Sequence, residues 1–321
     1  MLSRVADNLY WMSRYLERAQ HTARLLDVTL DMIPDRSQPA MDRSWQRLFA
    51  SLHLAQPAEA PLKARAVTEL LALDTDGDNS VVHHIIQSRE NARQVRELIS
   101  TEMWEQINRL YLDAQQANIA TVWGQSHQFF HAVKQGAHLF QGITDSTMNR
   151  GEGWHFIQLG QNIERAINVA ALVRAYLEDN APDQPLPHAI DLYLDRLSLL
   201  RSCTAFEAYC KVYSADLRFE EIAEFLLLNN TFPFSVNYAA TGMSEALNAI
   251  AEFTGTRKNN PIIRRIGRLK ATLDYGQIDE VTADELSSLL ESIRAQCAQI
   301  HADVHQTYIA YPVDEKLAVL P

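Results

Sequence analysis

Only 11 Gly and 11 Pro interrupt the 321 residues, and between them run long segments whose apolar residues recur every three to four positions. A chain so poor in helix breakers has few ways to bury its apolar surface except by packing helices on one another. The period predicts helices over roughly 2–31, 43–54, 61–72, 80–99, 101–117, 121–142, 153–178, 186–213, 217–228, 235–254, 259–274 and 282–309. Turn residues place loops at Ile33-Pro34-Asp35, Gln56-Pro57, Thr75-Asp76-Gly77-Asp78, Asp179-Asn180-Ala181-Pro182 and Lys258-Asn259-Asn260-Pro261. Asn79-Ser80 and Thr282-x-x-Glu285 read as helix N-caps, the second as a capping box. No stretch alternates with period two, so the expected class is all-α, a multi-helix bundle.

Two of the long segments repeat each other. Asn8–Leu30 superposes on His155–Leu177 at an offset of 147, pairing seven apolar positions along one helical face. The same offset lays Glu17-Arg18-Ala19 on Glu164-Arg165-Ala166. A looser third segment, His83–Met103, puts Arg89-Glu90-Asn91-Ala92 at the equivalent place at an offset of 73. We therefore expect one domain over 1–321, with 1–145 and 146–321 as candidate sub-bundles.

The balance of 29 basic against 40 acidic residues gives a formal charge of −11. That argues against gripping nucleic acid or anionic lipid as a main role, and 47% apolar residues argue against disorder. Cys203, Cys210 and Cys297 form neither a Cys-x-x-Cys pair nor a disulfide framework. The first residues lack the apolar core of a signal peptide and no segment is apolar enough to span a bilayer, so the expected location is the cytoplasm.

The charged borders of the repeated helices are the chemistry worth following. Arg4, Trp11 and Arg18 recur every seven residues beside the apolar face of the first helix. If such borders face inward, their charges must pair, because an unpaired buried charge is costly. They then form either a salt-bridge lattice or, with Arg in excess, a site whose free donors take a carboxylate or phosphate. Metal chemistry finds less support. Glu152-Gly153-Trp154-His155 is the one Glu-x-x-His and lies at a helix start. His127/His131 and His301/His305 are i,i+4 pairs, the first in a polar tract. Asp74-x-Asp76-x-Asp78 fails as a calcium loop, having Asn79 for the turn glycine and Ile85 for the bidentate Glu. Cys203 and Cys210 are expected on one helix face in packing roles. There is no Gly-rich phosphate cradle and no nucleophile elbow, so no metal and no nucleotide is assigned to this chain.

MLSRVADNLYWMSRYLERA at residues 1–19 resembles the opening of the bacterial alpha-E proteins, named for their helices and a Glu-Arg motif. SRENARQVRE at 88–97, STEMWEQINRLY at 100–111, GEGWHFIQLGQNIERA at 151–166 and FLLLNNTFPFSV at 225–236 resemble further blocks. The resemblance implies company: alpha-E proteins accompany circularly permuted ATP-grasp proteins, beside them or fused to them, often with a transglutaminase-like protein nearby. ATP-grasp enzymes activate a carboxylate as an acyl phosphate and pass it to an amine. The positions carried over are Arg4, Trp11, Arg14, Glu17, Arg18, Arg89, Glu90, Arg93, Glu152, Trp154, Glu164 and Arg165. The chain departs from the family pattern at Phe234, where a basic residue is favoured, and at His155, where Arg is favoured.

The resulting expectation is a helical subunit of an ATP-dependent amide-ligase system, with ATP and Mg on the ATP-grasp partner. It would bind a small-molecule or peptide substrate, bearing a carboxylate or an amine, in a Glu/Arg-lined cleft. Arg4, Arg18, Arg89 and Arg165 would clamp anionic groups, with Trp11, Arg14, Arg93, Glu152 and Trp154 completing the substrate-binding set. Glu17, Glu90 and Glu164 would hold the arginines, orient an amine or, if burial raised the pKa of Glu90 or Glu164, act as a base. The alternative is a scaffold that docks the ATP-grasp protein without chemistry. A metal-dependent bundle enzyme is a third and weaker reading.

Overall fold

The computed structural model describes residues 1–56, 62–178, 189–214, 216–255, 260–278 and 281–309. Pro57, the loop Asp179–Pro182 and Lys258-Asn259 lie outside them. Among the described residues there are helices and connecting turns but no strand: α1 (Ser3–Met32), α2 (Gln38–Ser51), α3 (Ala64–Thr68), α4 (Val81–Gln94), α5 (Thr101–Gln116), α6 (Ile119–Gly124), α7 (Ser126–Thr147), α8 (Glu152–Glu178), α9 (Ala189–Ser202), α10 (Phe206–Val212), α11 (Phe219–Leu228), α12 (Val236–Thr254), α13 (Pro261–Asp274) and α14 (Ala283–Val304). The protein is all-α.

The helices form two rings of four. α1 packs on α4, α4 on α5, α5 on α7 and α7 back on α1; α8, α12, α13 and α14 close a second ring in the same chain order. The repeated helices α1 and α8 lie against each other where the rings meet. They run parallel: Met1 reaches Glu152 near one end, and Arg14 and Arg18 reach Glu164 further along. Each ring places its next helix antiparallel to its long one. Ser88 of α4 donates to the Met12 carbonyl while Arg4 reaches Gln94, and Gly242 of α12 abuts Asn162 while Arg165 reaches the Pro233 carbonyl. The third segment of the sequence repeat is thus not a third copy of α1: it spans the antiparallel α4 and the start of α5.

Close approach at the centre depends on Gly160. A Cβ there would lie 2.3 Å from Ser13 Oγ and 2.4 Å from the Tyr10 carbonyl oxygen of α1. Side chains from both rings and the outer helices, among them Leu9, Met12, Leu16, Phe156, Leu159, Ile163 and Met243, merge into one core. Outside the rings, Asp195 of α9 accepts hydrogen bonds from Arg36 and Arg47, and Asp191 accepts one from Ser37.

Several boundaries differ from the expected ones for physical reasons. α2 begins at Gln38 rather than 43, because Pro39 stands in the first turn, where the missing N–H is no loss. The expected helix 186–213 breaks at Thr204, whose φ of 50° is left-handed; Cys203 and Cys210 therefore lie on either side of the break and not on one helix. The expected 121–142 helix is two, α6 opening on an Asn118–Thr121 capping box. Ser80 accepts a hydrogen bond from the His83 amide, and Thr282 and Glu285 form their capping box as expected. α14 passes into a π-helical turn at His305–Ile309.

Candidate functional site

The Glu-Arg motifs of α1 and α8 meet and satisfy each other across the helix pair. Because the helices are parallel and related by the 147-residue offset, Glu17 faces Arg165 while Arg18 faces Glu164. Arg165 Nε and Nη2 donate to the two Glu17 oxygens at 2.8 and 3.0 Å, and Gln141 Nε2 adds a contact at 3.3 Å. Arg14 Nε and Arg18 Nε donate to Glu164 Oε2 and Oε1 at 2.7 and 2.6 Å. Both carboxylates are only 3% exposed. Burial alone would push the Glu164 pKa up; the guanidiniums of Arg14 and Arg18 outweigh it and hold the carboxyl at about 2. The condition for Glu164 or Glu90 to act as a base is therefore not met, since at Glu90 too the upward push of burial is outweighed by the hydrogen bonds and charges of Arg89 and Arg93 together, and its pKa is lowered.

Guanidiniums outnumber carboxylates here. Arg24, one turn beyond Gln20, is buried; among the described residues its Nε has no hydrogen-bond partner, and Nη2 meets His138 Nε2 at 3.4 Å. Burial pulls its pKa down, partly offset by Glu17. Arg24 and Arg165 stand 4.7 and 4.3 Å from the ring centre of Phe234, which offers both cations a π-face. Trp11 does the same for Arg14 and Arg18, at 4.7 and 5.7 Å.

Arg18 is the opening in this centre. Its side chain is 30% exposed, and after Nε is spent on Glu164 its terminal nitrogens make no hydrogen bond with described residues. It lines a cavity of about 290 Å³ shared with Arg14, Glu164, His21, His84 and Asn168. His21 Nε2, His84 Nδ1 and Asn168 Nδ2 are buried out of reach of solvent and have no hydrogen-bond partner among the described residues, a costly arrangement behind the cavity wall. His53, which joins the lining from beyond α2, has a left-handed φ of 57°, a strain of roughly 1–2 kcal/mol. It also lines a second cavity of about 270 Å³ with Arg174, Arg294, Glu291 and a floor of Ala170, Ala171 and Ala175.

Burial, assisted by Arg24 and Arg18 respectively, lowers the pKa of His21 and His84 from the ordinary 6.5 to about 3. Below pH 6.5 the unfolded chain takes up protons at these rings that the folded chain excludes until about pH 3, so stability is lost as pH falls through that window. Urea unfolding at pH 7 and pH 4.5 is expected to show this loss, and His84→Asn to make it smaller.

The other residues carried over from the sequence do not join the centre. Arg89, Glu90 and Arg93 pair with one another on α4, and Arg89 lies over Trp104 and Tyr111 of α5. Arg4 is exposed and donates to Gln94. Glu152 holds the Met1 amino group, and Trp154 donates to Asp145 under the Arg150 guanidinium; these lie roughly 15–18 Å along α8 from Glu164. His301 Nδ1 meets the Tyr10 hydroxyl at 2.9 Å and Arg14 at 3.1 Å, and His127 meets Asp27. No group of three or more His, Cys, Asp or Glu positioned for a metal occurs among the described residues. Burial pushes the Cys203 and Cys297 thiols up to about 12, which leaves them unreactive at neutral pH. No described helix is long and apolar enough to cross a membrane.

Sequence reading missed His21, His53, His84, Asn168 and Gln141. His21 was legible, for Arg14, Arg18 and His21 share one face at i, i+4 and i+7; the others arrive from separate elements.

No solved structure matches the chain. Uncharacterized proteins of Mycobacterium bovis and of two strains of Mycobacterium tuberculosis are each 24% identical to it over 340 residues, covering 96% of this chain. The chain spans 37% of the length of these relatives. Residues 1–309 match the family described as a predicted alpha-helical domain with a conserved ER motif, so the chain belongs to the Alpha-E family.

Proposed function

We propose that the chain is the substrate-binding helical subunit of an ATP-dependent amide- or peptide-bond-forming system, working with a circularly permuted ATP-grasp partner. Its substrate presents a carboxylate to the cavity beside Glu164. The observation that carries the reading is Arg18: a partly exposed guanidinium half-spent on a buried carboxylate, lining a cavity with donors left over. A carboxylate there would accept charge-assisted hydrogen bonds from the terminal nitrogens of Arg18. Glu164 orients Arg18 and takes no proton, its pKa of about 2 being far below neutrality. The clamped carboxylate is a recognition group; the reacting group extends toward the partner, which holds ATP and Mg and forms the acyl phosphate. A transglutaminase-like protein is a second candidate partner. The longer relatives are consistent with this, since most of their length lies outside the match, where a fused partner would sit.

The second reading is a scaffold whose Glu-Arg centre only clamps α1 to α8. The complete pairing of Glu17 by Arg165 and of Glu164 by Arg14 and Arg18 favours it. Reconstitution with the ATP-grasp partner separates the two. Arg18→Ala is expected to raise the substrate KM roughly tenfold with kcat and partner affinity little changed, and Arg18→Lys to recover part of the loss. A KM untouched by Arg18→Ala supports the scaffold.

A further inference from the structure

The cavity beside Glu164 and the second cavity share one wall residue, His53. Both border the same stretch of α8: Glu164 and Asn168 face the first, Ala170, Ala171 and Arg174 the second. From Asn168 to Arg174 is about 9 Å along the helix, and from Glu164 to Arg174 about 15 Å. The three alanines leave room beside the α8 backbone, where longer side chains would fill the second cavity.

The second cavity is also cationic. Arg174, Arg294 and Glu291 are among its lining residues, and Arg174 donates to Glu291 at 3.1 Å. Arg294 is exposed and makes no hydrogen bond or ion pair with described residues. His53 feels both sides of the wall: burial lowers its pKa first, then Arg294, with Glu164 opposing and Arg174 adding to the lowering. Each end of the path therefore carries a guanidinium with donors left over, Arg18 at one and Arg294 at the other, with a small, uncharged stretch between.

We propose that the two cavities form one elongated subsite for an acidic peptide, with one carboxylate at Arg18, a second at Arg294, and the intervening backbone passing His53 over the alanine floor. This rests on the carboxylate-binding reading above and deepens it by fixing the substrate class. A span of about 10–15 Å corresponds to three to five extended residues at about 3.3 Å each, so a single amino acid or short dicarboxylate reaches only one end. A neutral His53 can donate one ring hydrogen bond and accept another beside the peptide backbone.

The test is calorimetric titration of the full chain with glutamate, diglutamate, triglutamate and tetraglutamate, and with inorganic triphosphate as a compact polyanion. Affinity is expected to step up roughly tenfold where the peptide becomes long enough to reach Arg294. Arg294→Ala, on an exposed position, is expected to abolish that step while leaving the affinity for the shorter peptides unchanged. Arg18→Ala is expected to weaken every member of the series. A series with no step, a step that survives Arg294→Ala, or tighter binding of triphosphate than of tetraglutamate would overturn the elongated peptide subsite. Peptides that bind with equal affinity to wild type and Arg18→Ala would instead overturn the carboxylate-binding reading on which it rests.

Discussion

Replacing Glu164 by Ala is expected to lower the unfolding free energy by about 3–5 kcal/mol. The carboxylate is the shared acceptor of Arg14 and Arg18, and Arg14 is only 4% exposed. Removing it leaves a buried guanidinium without a counter-charge, and the protein must then strand that charge or admit water between α1 and α8. The loss belongs to the broken pair and is no measure of the pair's net worth. Replacing Arg14 and Glu164 together, by Met and Leu, is accordingly expected to recover much of the stability. Urea unfolding of wild type, Glu164→Ala and the double variant distinguishes these cases. A Glu164→Ala loss below about 1 kcal/mol would mean that the pair behaves like a surface salt bridge. Acid adds an independent check. Because the Glu164 pKa falls from the ordinary 4.5 to about 2 on folding, its stabilisation is full above pH 4.5 and is lost as pH falls toward 2.

The second large effect is expected at Gly160, one turn before Glu164. In Gly160→Ala the new methyl would stand 2.4 Å from the Tyr10 carbonyl, which is backbone and cannot rotate away. The helices must separate, at a cost of about 3 kcal/mol, although Ala is the better helix former. Ser13→Ala is not expected to rescue the variant, because it removes only the Ser13 hydroxyl contact. Separation at this level also moves Arg14 and Arg18 relative to Glu164, so carboxylate affinity should fall with stability. A stable Gly160→Ala protein with unchanged affinity would show that the α1–α8 spacing is not set here.

The fold class and the pairing of motif with motif were legible to different degrees. Apolar period and scarce breakers were enough for the all-α class, because each helix must bury one stripe whatever it packs against. The 147-residue offset showed that α1 and α8 are alike. It could not show that they lie parallel and touching, since a stripe names a buried face and not its partner. That is why Arg89, Glu90 and Arg93 looked equivalent to the central motif: Glu90 falls in register with Glu17, but the neighbouring Arg precedes it, and α4 runs antiparallel with Arg89 over Trp104 and Tyr111 of α5. Thr204 was invisible because neither Gly nor Pro marks its left-handed turn. His53, His84 and Asn168 carry no shared spacing, and only the packing of α2, α4 and α8 brings them to one cavity.

The most direct measurement is a crystal structure of the chain grown with tetraglutamate at saturating concentration. One peptide carboxylate is expected within hydrogen-bonding distance of the Arg18 terminal nitrogens, beside Glu164, and a second near Arg294 beyond His53. A peptide seated elsewhere, with water alone between Arg18, His21 and His84, would contradict it and leave the Glu-Arg centre as a clamp between two helices.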